Sequence, residues 1–334
     1  MKAAVFHEHG STENIKYEDF PDPEIGPDDC LIKVKAVALN GFEPMILGKT
    51  TALRTPLPMI PGGDIAGEVV ELGANVDKDS WRPGDRVSLY PLIKGEGMIG
   101  ESRLGGCCEL VRVPADCLIP IPDGLGDVEA ASLPVAYGTA LRMMITRGKV
   151  KKGETVLILG AAGGVGVACV QMAHAAGCEV IACSSADWKL DKLRGLGADH
   201  VINTQDQDVR TWVYEKYGKP RMGEGGGVNV VVNYIGGDTW VDSLKIIHPE
   251  GRMLTCGASA GYATENDIRY IWTYEISIIG CNAWSRADQA ETMRMVTDGE
   301  IEPVIHAVRP LSETGGAIQQ LIDRDYFGKI VLQP

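Results

Sequence analysis

Positive charge is what this 334-residue chain has least to spare: 32 Lys and Arg stand against 45 Asp and Glu, a formal net charge of −13. That balance excludes general affinity for nucleic acid or anionic membrane, since both need a net basic surface, although a local basic spot can still hold a small phosphate ligand. Long apolar runs are also missing. None approaches the roughly 20 residues of a membrane span, and the opening MKAAVFHEHGSTENIKYEDF has no apolar signal-peptide core. We expect a cytoplasmic protein. Paired cysteines are absent too: the nine are scattered, and adjacent Cys107 and Cys108 cannot make the C-x-x-C knuckle of a structural zinc site. They read as reduced, buried small hydrophobes. There is no internal repeat and no compositional sign of disorder.

What is present is an ordinary globular composition, 45% hydrophobic and 23% charged, at a length that suggests two domains. Up to about residue 120, short apolar runs alternate with turn residues (AAVF, CLIKVKAVAL, EVVEL, DRVSLY, ELVRVP), a period-two pattern that predicts a mostly β unit. After Pro122 the rhythm changes. A helical stretch around Asp127–Met144 leads into strand-like runs (TVLIL, EVIAC, HVIN, VNVVVNYI, RMLTCG, ISIIGC) with helical patterns between them. Alternating β and α units predict a parallel sheet covered on both faces. The fold class expected is therefore α/β, with a doubly wound domain over 128–284 and a β-rich domain over 1–127, to which the tail 285–334 returns. The segment MGEGGGVN at Met222 reads as a surface loop.

Residues Gly160–Gly166, GAAGGVG, lie directly after the strand TVLIL and open the helix VACVQMAHAAG. Small residues let the backbone turn sharply and approach a pyrophosphate, while the helix start supplies N–H groups and a favourable dipole. This strand, turn and helix context marks Ala161, Ala162, Gly163, Gly164, Val165 and Gly166 as a dinucleotide site. At the end of the next strand, where an acidic side chain would take the ribose 2′-hydroxyl of NAD, the chain has Ser184 and Ser185, followed by Lys189. Small hydroxyls leave room for a 2′-phosphate and Lys189 can pair with it, so NADPH is the cofactor expected; Asp187 and Asp191 dilute that charge. Thr139 and Asn233 are counted with the cofactor-binding set.

This layout resembles the medium-chain dehydrogenase/reductase superfamily over essentially the whole chain, and GETVLILGAAGGVGVACVQMA is similar to the signature of its zinc-independent quinone oxidoreductase branch. VKAVALNG at Val34, PGGDIAGEVVELG at Pro61, RPGDRV at Arg82, GGCCELVRVP at Gly105, AASLPVAYGTAL at Ala130 and GKIVL at Gly328 fall in the expected order. The resemblance implies a GroES-like N-terminal domain, a Rossmann domain and a homodimer paired through edge strands around Ile276–Cys281.

Zinc-dependent members of that superfamily have C-x-T-D, then G-H-E-x-x-G, then a third ligand. Here the frames read Asn40-Gly41-Phe42-Glu43 and Gly62-Gly63-Asp64-Ile65-Ala66-Gly67, and the third falls near Val135. Asn40, Gly63 and Val135 replace all three ligands, and Glu43 with Asp64 alone makes a poor zinc site. No metal is expected. Without a Lewis acid, reduction of a conjugated carbonyl or quinone is favoured, because charge spreads over an enolate or ring and hydrogen bonds suffice to stabilise it. Asn40 is the candidate donor to the carbonyl oxygen, with Tyr90 or Tyr137 as donor or proton source; Phe42, Trp272 and Trp284 are candidate walls, and Glu43 a candidate salt-bridge partner. The reading is an NADPH-dependent, zinc-independent reductase of small-molecule quinones or α,β-unsaturated carbonyl compounds. A carbonyl reductase and a low-turnover NADPH-binding protein are the alternatives. Substrate choice is assigned to the loops Gly48–Pro58 and Leu92–Gly105.

Overall fold

The computed structural model describes residues 1–50 and 55–334, so residues 51–54 of the Gly48–Pro58 loop lie outside the described residues. The chain divides into two compact units, one of Met1–Ala136, Gln289–Gly299 and Pro303–Pro334, the other of Tyr137–Asp288 with Glu300–Glu302. The change in sequence rhythm placed these boundaries at Val128 and Ser285; the second unit begins at Tyr137, and the chain returns to the first at Gln289 with Glu300–Glu302 kept by the second.

The first unit begins with an antiparallel pair, β1 (Lys2–Phe6) and β2 (Ile15–Asp19). It continues through β3 (Asp29–Ala38), β4 (Asp64–Leu72), β5 (Arg86–Leu89), the small hairpin β6 (Leu92–Ile93) and β7 (Gly97–Met98), then β8 (Leu110–Pro114) and β9 (Leu118–Pro120). Alternation explains β3: Cys30, Ile32, Val34 and Ala36 face the core while Leu31, Lys33 and Lys35 face outward, the period-two signature of a half-buried strand. β2, IKYED, was not anticipated because its charges hide the alternation.

The second unit holds β10 (Thr155–Ile158), β11 (Glu179–Ser184), β12 (His200–Asn203), β13 (Val228–Val232), β14 (Ile247–Thr255) and β15 (Ser277–Gly280). All pair parallel, in the order β12-β11-β10-β13-β14-β15. Strand order reverses at β10, which is the topological switch point where such sheets bind ligands. Central strands such as VNVVV are buried almost throughout because helices cover a parallel sheet on both faces. β15 is an edge strand with Ile278 exposed. The helix expected over Asp127–Met144 is α-helical only at Asp127–Ser132 and Thr139–Leu141, with wide π-type turns at Pro134–Gly138 and Arg142–Arg147. Pro134 has no N–H to continue the ladder, and such turns gather at functional sites.

The tail re-enters the first unit as expected. β16 (Ile305–Pro310) pairs parallel with β17 (Lys329–Gln333), and β17 pairs antiparallel with β3, Val331 opposite Ala38 and Leu332 opposite Val37. The resulting sheet runs β16-β17-β3-β4-β5-β9, with β8 also on β3. No helix among the described residues is long and apolar enough to cross a membrane.

In the second unit a bidentate ion pair ties β14 to the residue before β10: Arg252 Nη1 and Nη2 each lie 2.8 Å from a Glu154 oxygen. Burial raises the Glu154 pKa, but the Arg252 fork and the Lys151 N–H outweigh it, and the net shift is below the ordinary value near 4.5. The stability this contributes is present above that value and is lost as pH falls through the depressed one. We predict that Arg252→Met, which strands a mostly buried carboxylate, costs about 3 kcal/mol by urea unfolding at neutral pH, with the deficit shrinking toward pH 3.

Candidate functional site

Each unit carries one polar site. In the second, β10 ends in the turn Gly160–Gly163 and the helix Gly164–Ala175. Gly160 sits at φ +66°, a left-handed conformation suited to glycine. Ala161 N–H donates to Cys183 O at 2.9 Å, tying the turn to β11. At Gly166 a Cβ would lie 2.5 Å from Gly160 O and 2.6 Å from Ala161 Cα, so only glycine lets this helix seat against the turn. Gly163, Gly164 and Val165 remain partly accessible at the helix start, where N–H groups lack intrahelical partners. These residues fit a dinucleotide pyrophosphate. Sequence reasoning missed Tyr234, whose hydroxyl donates to Gly160 O at 2.7 Å and braces the turn.

Ser184 closes β11, opposite Asn203 of β12, and Ser185 beyond it is exposed. Lys189 lies in the first turn of the helix Asp187–Gly195, its Nζ 5.1 Å from the ring centroid of Trp188; Lys192 Nζ lies 5.0 Å from the same ring. Asp187 is engaged by Asn203 Nδ2 at 2.6 Å. Hydroxyls, an aromatic face and two ammonium groups thus gather at the strand end where a ribose would lie.

A cavity of about 690 Å³ opens past the carboxyl ends of β13, β14 and β15, lined among others by Gly236, Thr255, Cys256, Gly257, Cys281 and Asn282. None of these was singled out from sequence. The rule that open parallel sheets bind ligands at carboxyl strand ends, applied to RMLTCG and ISIIGC, would have found them. Asn233 is fully buried; it donates to Thr239 Oγ1 and Ser243 Oγ and accepts from Ile235 N and Gly236 N. Its side-chain amide is thus fully engaged in shaping the loop that follows β13. Thr139 is buried, with its carbonyl facing the Cys281 thiol.

In the first unit, Asn40 follows β3 and Asp64 opens β4. Lys329, the first residue of β17, places Nζ 2.5 Å from Asn40 Oδ1 and 3.0 Å from Asp64 Oδ2. Asn40 Nδ2 donates to Asp64 Oδ2 at 3.0 Å, and Val135 N–H donates to Asp64 Oδ1 at 3.0 Å. Asp64 is 0% exposed, Lys329 2% and Asn40 7%. Burial raises the Asp64 carboxyl above its ordinary value, and Lys329, Asn40 and the Val135 N–H oppose that shift without cancelling it. The described partners of its oxygens, Lys329 Nζ, Asn40 Nδ2 and Val135 N–H, are all donors. Lys329 is the participant sequence reasoning missed, although GKIVL had been noted.

Glu43 corrects another expectation. Among the described residues it forms no salt bridge: Oε2 accepts the Asn40 backbone N–H at 2.7 Å, and buried Oε1 has no partner there. Burial, abetted by the Asp64 charge and opposed by Lys329, pushes its pKa up to about 8. Burial likewise holds the Cys107 thiol far above its ordinary value. Gly63 has no room for a side chain, since a Cβ there would lie 2.8 Å from Ile99 O. Phe42 packs nearby, partly buried against the core. Tyr90 is half-buried just past β5. Tyr137 is fully buried, donating to Glu302 O at 3.1 Å and meeting Gln171 Nε2 at 3.4 Å. Trp284 is buried against Gly138, and Trp272 is 61% exposed.

Family models agree with this architecture: an alcohol dehydrogenase GroES-like domain matches residues 26–123 and a zinc-binding dehydrogenase domain matches 164–298. The chain is 30% identical to a crotonyl-CoA reductase of Streptomyces avermitilis over 95% of this chain and 81% of that one. It is also 30% identical to an NADPH-dependent alkenal/one oxidoreductase, chloroplastic, of Arabidopsis thaliana, covering 100% of this chain and 80% of the relative. A solved NAD-dependent alcohol dehydrogenase superposes with TM-score 0.90 at 30% identity, covering both chains fully. The zinc implied by one model's description does not fit the residues present. The position of one expected ligand is an amide already bonded to an ammonium, that of the second is closed by backbone, and that of the third is a valine whose N–H serves Asp64. Among the described residues, no group of three or more His, Cys, Asp or Glu is placed to hold a metal.

The raised Glu43 pKa has a definite sign for stability. Between about 4.5 and about 8 the folded state keeps a proton that the unfolded state releases, so this contribution is full below that window and is lost as pH rises through it. We predict that Glu43→Gln, which keeps an acceptor for Asn40 N–H, flattens the decline of the urea midpoint between pH 5 and 8 and is relatively more stable than wild type at pH 8.5. An unchanged slope would place the ionised carboxylate in the folded state.

Proposed function

The chain belongs to the medium-chain dehydrogenase/reductase superfamily, and we propose that within this oxidoreductase family it reduces α,β-unsaturated carbonyl compounds or quinones with NADPH and without zinc. The observation that supports the reading is the Asn40–Asp64–Lys329 cluster, which has an amide donor at the position of an expected zinc ligand. A bound nicotinamide supplies the hydride. The turn Gly160–Gly166 seats the pyrophosphate, and Ser184, Ser185 and Lys189 take the 2′-phosphate. Asn40 donates to the substrate carbonyl oxygen as negative charge builds there. An enolate or aromatic alkoxide delocalises that charge, so a hydrogen bond is adequate; a saturated ketone would leave it on one oxygen, where a metal is worth several kcal/mol. Tyr90 or Tyr137 is the candidate donor of the α-carbon proton; the Tyr137 hydroxyl also donates to Glu302 O. Relatives named for crotonyl-CoA, acryloyl-CoA and alkenal/one reduction bring conjugated alkenes ahead of quinones. The same reading makes the molecule a homodimer through β15, which sedimentation would register as a single species of twice the 35.9 kDa chain mass.

The deciding assay follows NADPH oxidation with small enones, 2-enoyl thioesters and 1,2- or 1,4-quinones. We predict turnover with at least one class, no loss after exhaustive chelation, and NADPH bound at least about tenfold more tightly than NADH, the weight of one charge-assisted contact. Tight NADPH binding with no oxidation across the panel would refute the enzymatic reading. Equal NADH affinity would remove the role given to Ser184 and Lys189, and stoichiometric zinc in purified protein would overturn the metal-free one.

A further inference from the structure

We infer that Lys329 is a positioning residue: its ammonium fixes the orientation of the Asn40 side-chain amide, so that one Nδ2 hydrogen is spent on Asp64 and the other is presented to the substrate carbonyl. This rests on the reductase reading above and assigns a role to a residue it does not otherwise use. Three contacts close a ring: Lys329 Nζ to Asn40 Oδ1 at 2.5 Å, Lys329 Nζ to Asp64 Oδ2 at 3.0 Å, and Asn40 Nδ2 to that same oxygen at 3.0 Å. An amide has one acceptor end and one donor end. Turning it over would point NH₂ at an ammonium and oxygen at a carboxylate, so the chemistry of the partners selects one orientation. The amide oxygen and one amide hydrogen are thereby consumed inside the cluster. Among the described residues the second amide hydrogen has no partner, and it sits on a residue that keeps some exposure, whereas the remaining Lys329 N–H belongs to a side chain that keeps almost none.

Backbone geometry holds the ring in place. Lys329 is 289 positions from Asn40 in sequence, yet β17 lies against β3, and Leu39 N–H donates to Ile330 O at 2.9 Å, directly beside both residues. Asp64 cannot rotate away, because Val135 N–H holds its other oxygen. A cation on the amide oxygen also draws electron density from the nitrogen and sharpens N–H donation, as chained hydrogen bonds do. A purely structural Lys329 would only neutralise Asp64, and removing both charges together separates the two roles.

The test uses Asp64→Asn/Lys329→Met, which leaves no buried charge unpaired, alongside Asn40→Ala and the triple variant. The inference expects the double variant to fold and to bind NADPH with wild-type affinity, its kcat reduced about 100-fold, the scale of one lost oxyanion donor, with KM nearly unchanged. Asn40→Ala should lose a similar factor, and the triple variant no more than Asn40→Ala alone. Wild-type kcat in the folded double variant, or losses that multiply in the triple, would overturn it. A readout independent of turnover is the side-chain NMR signal of Asn40, identified by its disappearance in Asn40→Ala. One of its two hydrogens should be protected from exchange in wild type, and protection should vanish in the double variant but persist in Lys329→Arg. Absence of turnover in wild type would refute the proposed reaction, whereas protection unchanged in the double variant would refute the part given to Lys329.

Discussion

A buried ammonium beside a buried carboxylate is the constraint around which the first unit's polar site is organised. Taking the Lys329 and Asp64 charges out of water is costly, and the cost is met only if each finds its partner with good geometry and the remaining hydrogen-bonding capacity is used. Asn40 and the Val135 N–H meet that demand. Four chain segments are therefore bound to one arrangement: the end of β3, the start of β4, the wide turn after Leu133 and the returning strand β17. A polar network joined in this way specifies a single conformation for those segments, whereas one missing a charged partner would destabilise the core.

The second unit depends on a constraint of another kind, the absence of atoms. Gly166 carries no Cβ because Gly160 O and Ala161 already occupy that space, and close seating of the helix brings its N-terminus to the switch point at β10. Around this opening the side chains are braced from behind: Tyr234 holds Gly160 O, and Asn233 folds the Gly236 loop back over the strand ends. Rigid supports of this sort keep a cofactor contact in place without forming part of it.

Elements whose signal is local were legible in the sequence. The alternation of CLIKVKAV announces β3, and GAAGGVG between a buried strand and a small-residue helix announces the dinucleotide turn. The tail's return was legible from its failure to extend the β/α series. Interactions whose partners are far apart in sequence were not. Nothing near Gly328 indicates that the next lysine reaches a side chain 289 residues away, and nothing in LPVAYG distinguishes a donated backbone N–H at Val135 from any other. Glu43 was misassigned for the same reason, since its state follows from burial and from which neighbours claim Lys329. The bonds made by the Tyr137 hydroxyl and the Asn233 amide were not legible either, since Glu302 and Ser243 are brought to them only by the fold.

The vanished metal positions then acquire a chemical meaning. A divalent ion exerts its charge directly on a substrate oxygen bonded to it, whereas the buried Lys329 ammonium, bonded to Asn40 and Asp64, would in the proposed arrangement act outward through the amide. Its effect is transmitted as a stronger N–H donor, worth a few kcal/mol when desolvated, less than full coordination supplies to a localised alkoxide. Such a device suits an intermediate that disperses its own charge, and disfavours alcohol and simple ketone interconversion at the same site. The proposed preference for conjugated substrates thus follows from how far the positive charge is held from the reacting oxygen, and the closed backbone at Gly63 keeps that distance from being shortened by one restored ligand.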